Sequence, residues 1–277
     1  MALQRMTKRQ YADHWAKETK TLDQQGIYQR LAEITPEEIT LEIGCGTGVT
    51  TRYLAAQRKV LAVDNNKYLI QKSASALKNI GDSAQIIHAD IFELSSKSRS
   101  EITGFKPKVI TGWFIGSHPD DQDKWAGSDL PLHQKSKKYR ENIENVITQN
   151  FGAIESVEWI HLANRTGIVP GIDEKKIIDE ITSEYNESVF LSHGFEVVDV
   201  KVINWDTSKS DFLYIKSNCS NLVDEKQLPK FISILAKKKR PYKAFKSDSQ
   251  RSRFSVKNWY LRVSRKVLGF LAALFTP

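Results

Sequence analysis

At 277 residues the chain fits one large domain or one domain with an appendage. Its 40% apolar and 27% charged content is that of a folded protein and excludes a disordered or fibrous chain. The two cysteines, Cys45 and Cys219, stand far apart in sequence. They indicate neither a disulfide framework nor a zinc cluster, so no metal is expected and a reducing, cytoplasmic compartment fits.

The net charge of +8 is unevenly placed. Between Lys237 and Lys266 twelve Lys or Arg stand against one acid, Asp248; this segment carries +11 and leaves the remainder at −3. A basic character confined to one segment points to a partner of that segment and not of the whole surface. The N-terminus is polar and basic, with no secretory signal expected. The longest apolar run, Val267 to Phe275, is far shorter than the roughly 20 residues a spanning helix needs.

Residues 8–34 carry apolar positions on one helical face, Tyr11, Trp15, Leu22, Ile27 and Leu31, with a break expected near Gly26. Pro36 ends the segment. Ile39 to Ile43 reads as a buried strand, cut by three glycines at alternate positions, Gly44, Gly46 and Gly48. A helix-capable stretch follows from Val49 to Gln57. A Gly-rich turn between strand and helix lets backbone N–H groups approach a ligand closely. Glu42 stands two residues before the first glycine, at the strand's carboxyl end, where open α/β sheets bind ligands.

Val60 to Asp64 is a second short strand ending in an acid, 20 residues after Gly44. An acid there can accept both ribose hydroxyls of an adenosine, although nicotinamide enzymes use the same device. Its other reading is a helix cap for residues 67–78, with Asn65 or Asn66 as alternative caps. Residues 85–92 form the third strand and its exit through Ala89-Asp90-Ile91, with His88 read as structural. Residues 109–115 form the fourth strand, which runs into Gly116-Ser117-His118-Pro119.

Three acids at three successive strand ends, Glu42, Asp64 and Asp90, together with the G-x-G-x-G spacing, resemble the class I S-adenosylmethionine-dependent methyltransferases. The glycine spacing differs from the G-x-G-x-x-G of the dinucleotide fingerprint, which makes a nicotinamide dehydrogenase the weaker reading. The resemblance spans about residues 35–218. It implies a Rossmann-like seven-stranded sheet with helices on both faces and a last pair of strands in antiparallel hairpin. It implies a site for S-adenosylmethionine drawn from Glu42, Gly44, Cys45, Gly46, Gly48, Asp64, Asn65, Asp90 and Ile91. Cys45 fills a small place in the turn, Asp90 would bond the adenine amino group, and Ile91 would pack on the ring. Trp113 is a candidate for cation–π contact with the sulfonium. His118 is a candidate general base, since histidine titrates near neutrality; its bland reading is a loop histidine. The fourth-strand exit lacks the acid-or-Asn, two-proline and aromatic pattern of many nucleic-acid amino methyltransferases and looks more like the small-molecule branch. Tyr11 and Trp15 read either as core packing or as a cap over the cofactor cleft.

Residues 117–137 read as a polar insertion and residues 139–150 as a helix. Residues 157–163 read as the fifth strand, left by Asn164 to Gly167 at the ligand edge. Residues 173–192 form a helix stopped by Gly194. Phe195 to Trp205 and Phe212 to Ser217 read as the closing hairpin. Three units follow: an N-terminal helical cap at 1–34, the methyltransferase domain at 35–218, and a basic helical C-terminal extension at 219–277. In the extension, Gln227 to Ala236 reads as a helix. Trp259, Val263, Val267, Phe270, Leu271 and Leu274 form an apolar helical stripe edged by Arg262, Arg265 and Lys266. A basic amphipathic helix over 255–275 suits an anionic membrane surface, which would make the protein peripheral on the inner membrane face, or docking on its own domain or a partner subunit. With Tyr242, Phe245 and Phe254 among the basic residues, an RNA-binding arm is the third reading. The expected activity is methyl transfer to a small or lipid-like acceptor, with RNA methylation and a non-catalytic cofactor-binding subunit as alternatives.

Overall fold

The computed structural model describes residues 6–78, 80–210, 214–216, 228–239 and 270–272. Two helices come first, α1 (Lys8–Gln24) and α2 (Ile27–Ile34). Thr7 opens α1 with a capping box. Its side chain accepts from the Gln10 backbone while the Gln10 side chain accepts from the Thr7 N–H. Gly26, at φ 70°, supplies the left-handed turn between them.

The alternating strands and helices that follow are β1 (Thr40–Ile43), α3 (Val49–Ala55), β2 (Val60–Asp64), α4 (Lys67–Leu77), β3 (Ala84–His88), α5 (Ser96–Phe105) and β4 (Val109–Trp113). After them come α6 (Pro119–Ala126), α7 (Leu132–Val146), β5 (Trp159–Ile168), α8 (Glu174–Tyr185) and β6 (Phe195–Asn204). Last are β7 (Tyr214–Lys216), β8 (Leu228–Lys238) and β9 (Phe270–Ala272). Seven strands form one sheet in the order β3-β2-β1-β4-β5-β8-β6. The first five are parallel, and β8 runs antiparallel between β5 and β6. The order reverses between β1 and β4, which opens a crevice at their carboxyl ends, the usual ligand position of such sheets. Apolar side chains of the two sheet faces enter two separate cores. Ile110, Ile147 and Leu162 belong to one, and Trp113, Leu54 and Phe231 to the other.

The seven-stranded sheet with its closing hairpin is the expected architecture, but a different segment supplies the seventh strand. Gln227 to Ala236, read as a helix, is β8, at the centre of the antiparallel half. The run from Phe231 to Ala236 is buried on both faces. A continuous apolar run of that length has no period that separates a central strand from a buried helix. Tyr214–Lys216, expected to pair with residues 195–205, pairs with Phe270–Ala272 in a separate two-stranded sheet. The seven-stranded sheet therefore reaches past residue 218. Of the helix expected over 255–275, the described residues are Phe270–Ala272, and they are extended; the rest lies outside the described residues. Asn164 to Gly167, expected to leave the strand, remain in β5 because β8 pairs with them through Ile168.

A buried histidine fastens β8. Thr35 Oγ1 donates to the Leu31 carbonyl at 2.8 Å, so it accepts from His161 Nδ1 at 2.7 Å. The other ring nitrogen, Nε2, then accepts from Ser233 Oγ on β8, also at 2.7 Å. Burial, aided by Arg58, pushes His161 down to about 3, so the ring is neutral and its two roles are fixed.

Candidate active site

A cleft of about 630 Å³, including its open mouth, lies over the crevice between β1 and β4. Gly44 and Gly46 form its floor, and Asp64, Asn65 and Asn66 form the wall beyond β2. Ala89, Asp90 and Ile91 line it beyond β3, and the stretch from Phe114 to His118 beyond β4. From the other side α1 lends Tyr11 and Trp15, and α7 lends Tyr139 and Ile143. Tyr11 and Trp15 thus pack in the core and face the cleft at once. A Cβ on Gly46 would stand 3.0 Å from Trp15 Nε1, and Gly46 has φ 54°. Both the close approach and the backbone conformation require glycine there.

Asp64 ends β2 nearly buried. One carboxylate oxygen accepts the Gly46 N–H at 2.8 Å, and the other accepts the Asn66 N–H at 2.8 Å. Asp64 therefore braces the glycine turn, while a carboxylate with about four acceptor positions keeps two for a ligand. Burial pushes its carboxyl up from the usual range, opposed by these two N–H groups. Asn66, not Asn65, caps α4: its side chain accepts from Tyr68 and Leu69. Asp90 is held in an Asx turn by the Phe92 N–H at 3.0 Å and accepts the Trp125 indole N–H at 3.1 Å. Ile91 and Ala89 supply an apolar surface beside it. His88 bonds the Asn65 carbonyl at 3.1 Å.

Glu42, Cys45 and Gly48 stand behind this wall and do not line the cleft. Glu42 accepts from Thr51 Oγ1 at 2.6 Å and is 2% exposed. Burial and the charge of Asp64 push its carboxyl up to about 8, against the Thr51 bond. Glu42 is thus a neutral acid at most working pH values, and it ties the start of α3 to β1. Burial pushes the Cys45 thiol up, which leaves it an unreactive small side chain. Gly48 lies against Ser73 of α4, where a Cβ would come within 2.8 Å.

Two residues of the fourth-strand exit differ from expectation. Trp113 points away from the cleft, into the core shared by Phe114 and Phe231, with its ring edge on His161 at 5.1 Å. It is the last residue of β4, and strand alternation directs it to the far face. The aromatic that lines the cleft is Phe114, which holds φ 52°. That conformation costs about 1 kcal/mol or more for a non-glycine residue. The Phe114 N–H still reaches the Ala163 carbonyl at 2.8 Å, and Arg165 lies over its ring at 5.1 Å.

His118 lines the cleft but is 3% exposed. Its Nδ1 accepts the Asp120 N–H at 3.3 Å and caps α6, and its Nε2 donates to the Met6 carbonyl at 2.6 Å. With both nitrogens committed to backbone, the ring as placed has no lone pair for a substrate proton. It latches the start of α1 to α6 instead.

The residues that sequence reading passed over are Ser117, Asp121, Tyr139 and Lys8. Ser117 Oγ donates to Asp121 Oδ2 at 3.2 Å, and Lys8 Nζ donates to Asp121 Oδ1 at 2.8 Å. Partners 113 residues apart leave no local signal.

Residues 40–102 match the family described as a methyltransferase domain. The chain resembles the class I S-adenosylmethionine-dependent methyltransferases. Its sheet is the Rossmann-like methyltransferase sheet with the closing antiparallel hairpin. No curated protein matches the chain. Among solved structures it is similar to the 4+2 cyclase SpnF, with 10% identity over 86% of this chain and 99% of that one and a TM-score of 0.48. It is similar to the 23S rRNA methyltransferase ErmE, with 14% identity over 76% and 67% and a TM-score of 0.43. A Pyrococcus horikoshii protein described as an RNA methyltransferase gives 11% identity over 79% and 85%, also with a TM-score of 0.43. At this distance these structures bear on no acceptor.

Proposed function

We infer that the protein is an S-adenosylmethionine-dependent methyltransferase acting on a small or lipid-like acceptor. The observation that carries this is the chemistry of the cleft wall. Asp64 and Asp90 stand at successive strand ends, an apolar surface lies between them, and among the described residues no Lys or Arg lines the cleft. That set suits an adenosine and a sulfonium. It suits the pyrophosphate of a nicotinamide cofactor less well, since that group would face the Asp64 and Asp90 carboxylates. Asp64 would hold the ribose hydroxyls and Asp90 the adenine amino group, while Gly44 and Gly46 leave room for the amino-acid end. The cofactor supplies an already activated methyl group. The protein's part is to align the acceptor and exclude water, which Tyr11 and Trp15 of α1 favour by covering the cleft.

Calorimetry with S-adenosylmethionine and with NAD is the test. Binding of the first in the micromolar range and none of the second is expected; tight NAD binding alone would refute the assignment. RNA methylation is the second reading, supported by the +11 segment at 237–266. It predicts label from S-adenosylmethionine in RNA and binding that falls steeply with salt. A membrane-surface location rests on the same segment and predicts binding to anionic vesicles. Among the described residues no helix is long and apolar enough to cross a membrane.

A further inference from the structure

At the Asp90 end of the cleft, α6 grips the exit of β3 from outside the lining. The Trp125 indole N–H donates to Asp90 Oδ2 at 3.1 Å. The Trp125 ring stacks on Phe92, with centroids 4.6 Å apart and planes 21° from parallel. Lys124 Nζ pairs with Glu93 at 2.5 Å and lies over the Trp125 ring at 4.5 Å. From α7, Asn142 Nδ2 donates to the Trp125 carbonyl at 2.6 Å and so fastens the backbone that carries the indole. Asp90 lines the cleft and Trp125 does not, so the indole can reach a ligand only through the carboxylate.

We propose that Trp125 is a positioning residue for the cofactor's base, which sets the Asp90 carboxylate to accept from the amino group of adenine. The proposal rests on the methyltransferase reading and names the element of the same site that selects the base. Without Trp125 the carboxylate has one anchor, the Phe92 N–H on Oδ1 at 3.0 Å. The χ2 torsion of an aspartate is broad, so one anchor leaves the plane of the group free to swing. The indole takes the second oxygen and fixes that plane. It also stacks on Phe92, the residue that supplies the first anchor, so it holds the carboxylate and its turn together. A carboxylate has about four acceptor positions, and the two donors leave about two for a ligand. Both protein partners donate, so Asp90 offers acceptors to the cleft. Such a wall binds the C6 amino group of adenine and gains nothing from a purine without it. A site built around a hydrogen bond rejects the analogue that cannot make it.

The test uses S-adenosylhomocysteine and its 6-deamino analogue, in which hydrogen replaces the C6 amino group. Their affinities for the full chain are measured by calorimetry in the wild type, Trp125→Phe, Asp90→Asn and the double variant. Phe keeps a ring to stack on Phe92 and removes the N–H. The wild type should bind S-adenosylhomocysteine at least about tenfold more tightly than the analogue, a difference of roughly 1.4 kcal/mol. Trp125→Phe should cut that ratio to below about threefold, while the affinity for the analogue itself changes less than about twofold. Retained affinity for the analogue also shows that the variant folds. Asp90→Asn should abolish the ratio, and adding Trp125→Phe should then change it no further, because the indole acts through the carboxylate. Equal weakening of both ligands by Trp125→Phe overturns the proposal, since the indole then serves the fold alone. So does a ratio that survives Asp90→Asn and falls only with Trp125→Phe. A wild-type ratio near one with S-adenosylhomocysteine bound overturns it and leaves the methyltransferase reading standing. Absence of S-adenosylhomocysteine binding removes that reading and the proposal with it.

Discussion

In the half of the sheet built from β1, β2 and β3, Asp64 and Asp90 stand at or just past a strand end, and their backbone partners lie mostly in the next turn of chain. Asp64 meets Asn66 two residues on, and Asp90 meets Phe92 two residues on. In the half built from β4, β5 and β8, the partners come from far away. Met6 meets His118, Lys8 meets Asp121, and Thr35 and Ser233 meet on His161. The first half is a sequence of short-range motifs that any open parallel sheet can host. The second is assembled only when α1 and β8 dock, so its chemistry depends on contacts of high sequence separation.

The sharpest way to break this contrast is to end the chain after residue 218. If the antiparallel half were an appendage, the remainder would still fold. Removing β8 instead strips β5 and β6 of their shared partner and exposes Phe231, Ile232 and Ile234 neighbours on both faces. The expected result is loss of a cooperative thermal transition by circular dichroism.

A smaller effect, confined to the first half, is expected of Asp64→Asn. The amide keeps one acceptor oxygen but loses the charge and one of the N–H bonds to the turn. Charge-assisted bonds of this kind are worth about 1.5–3 kcal/mol. S-adenosylmethionine affinity should fall roughly 10- to 100-fold by calorimetry.

Glu42 gives a pH-dependent test. Its folded value, about 8, lies above the unfolded 4.5. Its contribution to stability is therefore fully present below pH 4.5 and is lost progressively as pH rises to about 8 and beyond, where the buried group must ionise. Glu42→Gln keeps an acceptor for Thr51 and cannot ionise. The melting temperature of the wild type should fall between pH 5 and pH 9 by at least about 2 °C more than that of the variant. Equal slopes would show that Glu42 is already ionised in the fold.

The smallest effect is expected of Trp113→Phe. Its indole N–H is buried without a hydrogen-bond partner, and the ring faces away from the cleft. S-adenosylmethionine affinity should change less than roughly twofold, well under 1 kcal/mol. A tenfold loss would return Trp113 to the cofactor.

Much of the parallel half was legible in the chain itself. Its strands are short buried runs, and G-x-G-x-G with an acid at each strand end is a local pattern. The sequence by itself determined the class of sheet, the position of the crevice and the residues Gly44, Gly46, Asp64, Asp90 and Ile91 that line it. It also placed a two-helix cap before β1, with a break at Gly26. Tertiary structure alone decided the rest. Phe231 to Ala236 became a central strand because two neighbours, β5 and β6, offered it backbone bonds on both edges. Trp113 turned to the far face and Phe114 into the cleft because the chain takes a left-handed residue at the strand exit. His118 became a latch because the Met6 carbonyl arrived at its Nε2, and Asp121 entered the wall because Lys8 arrived to hold it. Local pattern fixes what a residue can do, but where a buried donor or acceptor finds its partner is settled by packing between segments a hundred residues apart.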